Sequence, residues 1–257
     1  MNYSMFSWFG YFMPFEERIK IIAGAGFDEA MISWEDEFEP WPLKKEEFPE
    51  IVRKNGLGIT NIHAPFIGYS DIWTASRTEI KPKLTEFIGF IKDCQDFEIP
   101  AMVMHTNDLD EFTPDLDKGL AFFSELADAA EKYNVDLAVE NVSRQHLLDF
   151  LLEQINAPRF GMCYDSSHDF LEEQNRGRIL KKHKHRIKAL HLSDNDFKED
   201  RHWIPGEGSI PLDEVLAEIL TVPTINTISY EVLANEAWRE KEPLDFAVAV
   251  KKSLAKK

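Results

Sequence analysis

Six residues of this 257-residue chain, His63, His105, Glu140, Asp165, His191 and Glu231, can bind a cation or move a proton, and each follows or ends a short apolar run. Their successive separations are 42, 35, 25, 26 and 40 residues. Imidazole and carboxylate together suit Mn²⁺, Zn²⁺, Fe²⁺ or Co²⁺. Acids gathered this closely repel one another strongly unless a cation stands among them. The set Glu140, Asp165, His191 and Glu231 fills most of one coordination sphere and leaves room for water or a ligand. A single His in such a place is more often a hydrogen-bonded loop residue, and a single Glu more often a helix cap. The weight rests on six in succession.

Two short motifs add donors. Asp165-Ser166-Ser167-His168 sets a second ligand type three residues after the first, and Asp200-Arg201-His202 does the same in the loop after residues 187–192. That loop also holds Asp194, Asn195 and Asp196 and closes on Pro205-Gly206-Glu207-Gly208, a turn signal. His146, His183 and His185 fall in helical or polar segments and are expected on the surface.

The elements that would carry these residues repeat one pattern. Apolar runs at 3–8, 29–34, 58–62, 101–104, 136–139, 160–164, 187–192 and 227–230 read as strands. Between them, amphipathic spacing predicts helices opened by Pro14 and at 44–54, 76–97, 115–133, 144–155, 176–182 and 212–220, with a last helix after Pro243 leading into a basic tail. Pro82 suggests that the helix at 76–97 starts a few residues late. Eight strands alternating with helices argue for a parallel sheet, and 257/8, about 32 residues per unit, suits a closed (β/α)₈ barrel. A single α/β TIM barrel over residues 1–257 is expected, with an open doubly wound sheet as the alternative. In a barrel all strand C-termini face one mouth, which would bring the six residues together.

Composition narrows the partners. The net charge of −17 repels phosphate backbones, so nucleic acid is disfavoured. Neither glycine-rich phosphate loop occurs. Cys94 and Cys163 are far apart and form no C-x-x-C pair, which argues against a disulfide framework or zinc ribbon. The first residues lack a basic segment and cleavage site, and no apolar run approaches the ~20 residues that span a bilayer, so a cytoplasmic protein without a membrane partner is expected.

The runs N-I-H-A-P-F, V-M-H, A-V-E-N, Y-D-S-S-H-D, L-H-L-S-D-N-D, D-R-H-W-I-P-G-E-G-S-I and Y-E-V resemble the xylose isomerase-like barrel superfamily, most clearly from His63 to Glu231. The resemblance implies one divalent metal (Mn, Mg, Co or Zn) held by Glu140, Asp165, His191 and Glu231. It implies Glu140 and Glu231 as acid and base in isomerisation or epimerisation of a small sugar, sugar phosphate or polyol, by proton abstraction next to a carbonyl. A keto-polyol dehydratase would use the same parts. Relatives often form homo-oligomers. His63, His105, His168, Asp200 and His202 would contact substrate or hold further metals. Endonuclease IV, of the same superfamily, binds three zinc ions, and every ligand type it needs occurs here in order. No loop, however, mixes basic and aromatic residues as a duplex-gripping surface would. Aromatics expected near the mouth are Trp8, Trp34, Phe66, Trp73 and Trp203; a sugar's C–H face stacks on such rings. Trp34, Glu35, Arg201 and Trp203 are the candidate substrate contacts, with Lys198 and Arg201 as cations for a phosphate or acid group.

Overall fold

Each short apolar run pairs with the next in the computed structural model, which describes residues 1–254. The strands are β1 (Asn2–Phe6), β2 (Glu29–Ser33), β3 (Gly58–His63), β4 (Ala101–His105), β5 (Asp136–Glu140), β6 (Phe160–Asp165), β7 (Ile187–His191) and β8 (Thr227–Tyr230). They form one parallel sheet in the order β7-β6-β5-β4-β3-β2-β1-β8. The last seam, between β7 and β8, closes at one residue: Leu192 N–H donates to the Ser229 carbonyl (2.9 Å), and the Leu192 carbonyl accepts from Glu231 N–H (3.3 Å). The result is an eight-stranded (β/α)₈ barrel rather than an open doubly wound sheet.

The helices are α1 (Phe15–Gly24), α2 (Phe48–Lys54), α3 (Asp71–Thr74), α4 (Arg77–Asp96), α5 (Leu116–Tyr133), α6 (Gln145–Gln154), α7 (Ser166–Leu171), α8 (Arg178–His183), α9 (Leu212–Ile219), α10 (Glu236–Arg239) and α11 (Pro243–Ser253). The end of the basic tail lies outside the described residues. The sequence pattern misses α3, α7 and α10, which span only four to six residues, too few for a period to register clearly. Pro82 does not delay α4. Ser76 caps it through the Glu79 N–H while the Glu79 side chain accepts from the Ser76 N–H, so the helix starts at Arg77. Pro82 has no N–H for the Thr78 carbonyl, and both residues are exposed, so solvent can serve that carbonyl.

Strand alternation sorts the core into two parts. Outward-facing residues pack under the helices in one large cluster, while Val103, Ala138, Cys163 and Ala189 form a small one on four adjacent strands in the barrel interior. Trp34 belongs to the outer layer. It is 1% exposed and its indole N–H donates to Asp93 of α4 (3.0 Å), so it braces a helix and offers nothing to a ligand, contrary to the expectation from sequence. Trp73 is likewise buried, with its N–H on the Thr106 carbonyl (2.7 Å). His183 is also not a surface residue: it is 5% exposed and paired with Asp149 of α6 (2.6 Å). Among the described residues no helix is long and apolar enough to cross a membrane.

The α5 residue Gly119 lets Trp73 lie against the helix backbone, since a Cβ there would stand 2.1 Å from the indole Cζ3. Gly119→Ala should cost about 1–3 kcal/mol through overpacking, read as a lower urea midpoint. Ser76→Ala, which removes an exposed cap, should cost about 1 kcal/mol.

Candidate metal centre

Register brings the strand-end residues together. His105 stands across from Glu140 in the β4–β5 pairing, and Asp165 across from His191 in the β6–β7 pairing. Glu231 follows β8 directly, where Leu192 closes the barrel. One atom from each of Glu140, Asp165, His191 and Glu231 lies within 4.8 Å of the others, and all four residues are buried. Among the described residues four further groups meet the same limit: His63–His105–Glu140, His168–Asp200–His202, His63–His191–Glu231 and Glu140–Cys163–His191.

Glu140 is the hub. One oxygen, Oε2, faces His63 Nε2 (3.1 Å) and His105 Nε2 (3.5 Å), while Oε1 faces His191 Nδ1 (3.1 Å) and His168 Nδ1 (3.5 Å). Burial pushes this carboxyl towards protonation, but His191, His105 and His168 outweigh it and hold it well below the usual range. Glu231 Oε2 lies 2.8 Å from the same His191 Nδ1. Burial works upward there too, yet His191 draws Glu231 down to about 2. Burial opposes charge on His191, while Cys163, Glu231 and Glu140 raise it well above its usual value. Asp165 is different: burial lifts it to about 6 despite His168 and His202.

Several atoms fit a cation. His63 Nδ1 sits 2.7 Å from the Ala64 carbonyl and donates to it, which aims Nε2 at the Glu140 carboxylate (3.1 Å), where it serves as a hydrogen-bond donor or, with an ion present, as a ligand. Asp165 Oδ1 accepts the His168 N–H (2.8 Å), while its buried Oδ2 has no hydrogen-bond partner. The Asp165 backbone is pinned by Asn141, which accepts from its N–H (2.7 Å) and donates to its carbonyl (2.8 Å). A mixed oxygen and nitrogen donor set around these atoms suits a divalent ion of the Mn²⁺, Co²⁺ or Zn²⁺ type.

The third group lies nearer solvent. Asp200 Oδ2 is 2.9 Å from both His168 Nε2 and His202 Nε2, and Oδ1 accepts from Ser167 (2.6 Å). Partial burial would raise Asp200, but the two imidazoles hold it far down, and the hydrogen bond that His202 donates to Asp200 helps lift His202 to about 9 against its burial. Beside this group a cleft of about 530 Å³ is lined by Phe66, His105, Arg144, His168, Glu172 and Asp200 among others. Phe66 stacks on His63 with ring centroids 4.3 Å apart. A larger cavity, about 720 Å³, opens among Glu29, Asn61, Asp136 and Thr227 at the strands' other ends and holds none of the expected site residues.

The remaining expectations divide. Trp203 and Arg201 sit at the rim, with the guanidinium 5.6 Å over the indole, but Arg201 is already paired with Glu199 (2.6 Å) and Asp196 (3.3 Å). Glu35 is exposed at the end of β2. Asp194, expected in the acidic cluster, is instead the clamp of its loop. Its two oxygens accept the N–H groups of Asn195, Gly206, Gly208 and Ile210 at 2.9–3.0 Å. Gly208 is needed for this approach, because a Cβ would fall 2.4 Å from Asp194 Oδ1. Arg144, Gln145 and Asn141 were not anticipated. They lie in the turn after β5 and the start of α6, where polar residues carry no period that marks them.

A model of the xylose isomerase-like TIM barrel family matches residues 19–246. The chain is 28% identical to an uncharacterised protein of Methanocaldococcus jannaschii over 197 residues, 66% of this chain and 63% of that protein. It is 29% identical to the fructoselysine 3-epimerase of Escherichia coli O157:H7 over 105 residues, 38% of each. It thus spans less than two thirds of the length of these curated relatives. Among solved structures it is similar to the D-allulose 3-epimerase from Methylomonas sp. in complex with D-allulose (TM-score 0.80, 14% identity, 99% of this chain and 96% of that one). It is also similar to an IolI protein with a bound zinc atom (TM-score 0.77, 16% identity, 98% and 96%). At such identities these two are likenesses of fold.

Asp194→Ala would leave four backbone N–H groups without an acceptor. A loss of at least about 2 kcal/mol is expected, seen as a lower melting temperature, whereas Asp196→Ala at the exposed end of the loop should change stability little.

Proposed function

The chain belongs to the xylose isomerase-like TIM barrel family, and from that we propose that it is a divalent-metal-dependent isomerase or epimerase of a small sugar, sugar phosphate or polyol. The reading is carried by the four-residue group Glu140, Asp165, His191 and Glu231, whose donor atoms lie within 4.8 Å of one another. These four would hold the ion. When bound, a divalent ion polarises a carbonyl and its neighbouring hydroxyl and so acidifies the C–H beside them. Relatives named as epimerases of fructoselysine and allulose support this class of reaction. A relative named inosose isomerase supports polyols as substrates, and the neighbour with zinc supports a divalent cofactor.

The chain's own residues supply the proton chemistry. Glu140 and Glu231 flank one nitrogen, His191 Nδ1, at 3.1 and 2.8 Å. One carboxylate takes the proton from carbon and the other returns one, which inverts or relocates the centre. His63, with its tautomer set by the Ala64 carbonyl, fixes the Glu140 oxygen it faces. His105 and His168 point at Glu140 from the cleft side and are the donors nearest a substrate hydroxyl. Phe66, 37% exposed and stacked on His63, provides the apolar face for sugar C–H groups. Arg144 lines the cleft and is a better partner for an acidic substituent than Arg201, which two carboxylates already occupy.

One observation favours a second reading. The groups His63–His105–Glu140, Glu140–Asp165–His191–Glu231 and His168–Asp200–His202 together make the ligand inventory of a three-zinc phosphodiesterase of the endonuclease IV kind. Against it stand the net charge of −17 and a cleft lined by Asp108, Asp110 and Glu172, which repel a nucleic acid backbone.

Metal analysis separates the two: about one ion per chain is expected for the isomerase, and three zincs would overturn it in favour of the nuclease. With ketoses in deuterated water, the enzyme should place deuterium at the carbon next to the carbonyl. Glu140→Gln or Glu231→Gln should lower that exchange by about 10²–10⁴-fold. Exchange that survives both substitutions would refute their role.

A further inference from the structure

Cys163 is not used by the reading above, although it stands inside the same centre. It is fully buried and lies directly across from Glu140 in the β5–β6 register. On β6 it precedes Asp165 by two residues, so strand alternation turns both side chains to the barrel axis. The stagger between strands does the rest: while Asp165 pairs with His191, Cys163 falls level with Glu140. Its Sγ, a Glu140 oxygen and a His191 ring nitrogen all lie within 4.8 Å of one another. Tetrahedral donors with bonds of about 2.0–2.3 Å stand about 3.3–3.8 Å apart, so closing these three on one ion asks for a contraction of no more than about 1.5 Å.

Burial pushes the Cys163 thiol up to about 12, so the proton leaves sulfur only when an ion displaces it, and the surroundings leave that exchange to the three donors alone. Val103, Ala138 and Ala189, which pack with Cys163, are apolar and buried, so they offer no rival donor and keep water away. His191 Nε2 is buried and without a hydrogen-bond partner. Cys94 is a contrast within the same chain. Its thiol lies outside the barrel wall against the Ala101 carbonyl (3.7 Å), and among the described residues it joins no group of metal donors.

We propose that Cys163, with Glu140 and His191, forms a second cation position, selective for strongly thiophilic divalent ions such as Cd²⁺, on the interior side of the carboxylate-rich centre. It rests on the reading of Glu140 and His191 as ligands of the central ion. Because both residues are shared, the two positions exclude each other. A hard ion such as Mg²⁺ or Mn²⁺ stays with the oxygen-rich set, while a soft ion is drawn inward by sulfur. On binding, the S–H bond breaks, an S–metal bond forms and one proton leaves to solvent for each ion taken up. A soft ion held there takes two of the four donors from the working position, so it inhibits.

The test uses the full-length chain, stripped of metal and titrated with Co²⁺ and Cd²⁺ while near-ultraviolet absorption is followed. A thiolate-to-metal charge-transfer band should grow to one equivalent, persist in Cys94→Ser and vanish in Cys163→Ser. Cd²⁺ affinity should fall about tenfold or more in Cys163→Ser, with Mn²⁺ affinity within about twofold of the parent. Co²⁺ binding that shows ligand-field bands but no charge-transfer band in the parent protein overturns the proposal and leaves the central site standing. Failure of any divalent ion to bind overturns both. Cys163→Ala is the second variant, with circular dichroism to check folding; if neither variant folds, the parent and Cys94→Ser spectra decide.

Discussion

A carboxylate buried at the axis of a barrel is the constraint from which the rest follows. Glu140 is fully buried, and a lone ionised carboxylate in such a place would take up a proton. It stays charged because four imidazoles, from the ends of β3, β4 and β7 and the start of α7, face its two oxygens. Each imidazole is then held by something further out. His63 is fixed by the Ala64 carbonyl, and His168 by Asp200, whose other oxygen is held by Ser167. The polar network grows outward in this way until it meets solvent at Asp200 and the rim.

That network depends on a loop whose acids have separate tasks. Between β7 and α9, Asp194 is spent on four backbone N–H groups, Asp196 on Lys198, Glu199 and Arg201, and Asp200 on His168 and His202. One sequence cluster of acids thus divides into a clamp, a surface staple and a site residue. The division follows burial: Asp194 is fully buried where the chain must turn tightly, and Asp200 lies where two histidines meet at the edge of the cleft.

Much of this was legible in the chain. Strand alternation and helix spacing marked eight βα units, and the six strand-end residues expected to converge do so, because parallel strands in a barrel point their C-termini one way. Other residues misled for local reasons. Trp34 follows a strand as a mouth residue would, yet its ring turns outward to Asp93, and which side of the wall the residue after a strand takes depends on where the strand stops. His183 reads as one of several polar residues before a strand, but α8 packs it against Asp149 of α6, a contact 34 residues away.

The amino-acid order by itself determined the repeating units, their parallel arrangement and the identity of the donors, since these follow from periods of two and 3.6 and from residue chemistry. Tertiary structure alone decided which donors share a point in space. The register of β5 against β6 brings Cys163 level with Glu140 and sets Asp165 one step higher, beside His191. Closure at Leu192 delivers Glu231 to His191, and the fold of one loop turns Asp194 inward and Asp200 towards His168 and His202. Registers and closures are set by packing among distant residues, so no local pattern records them.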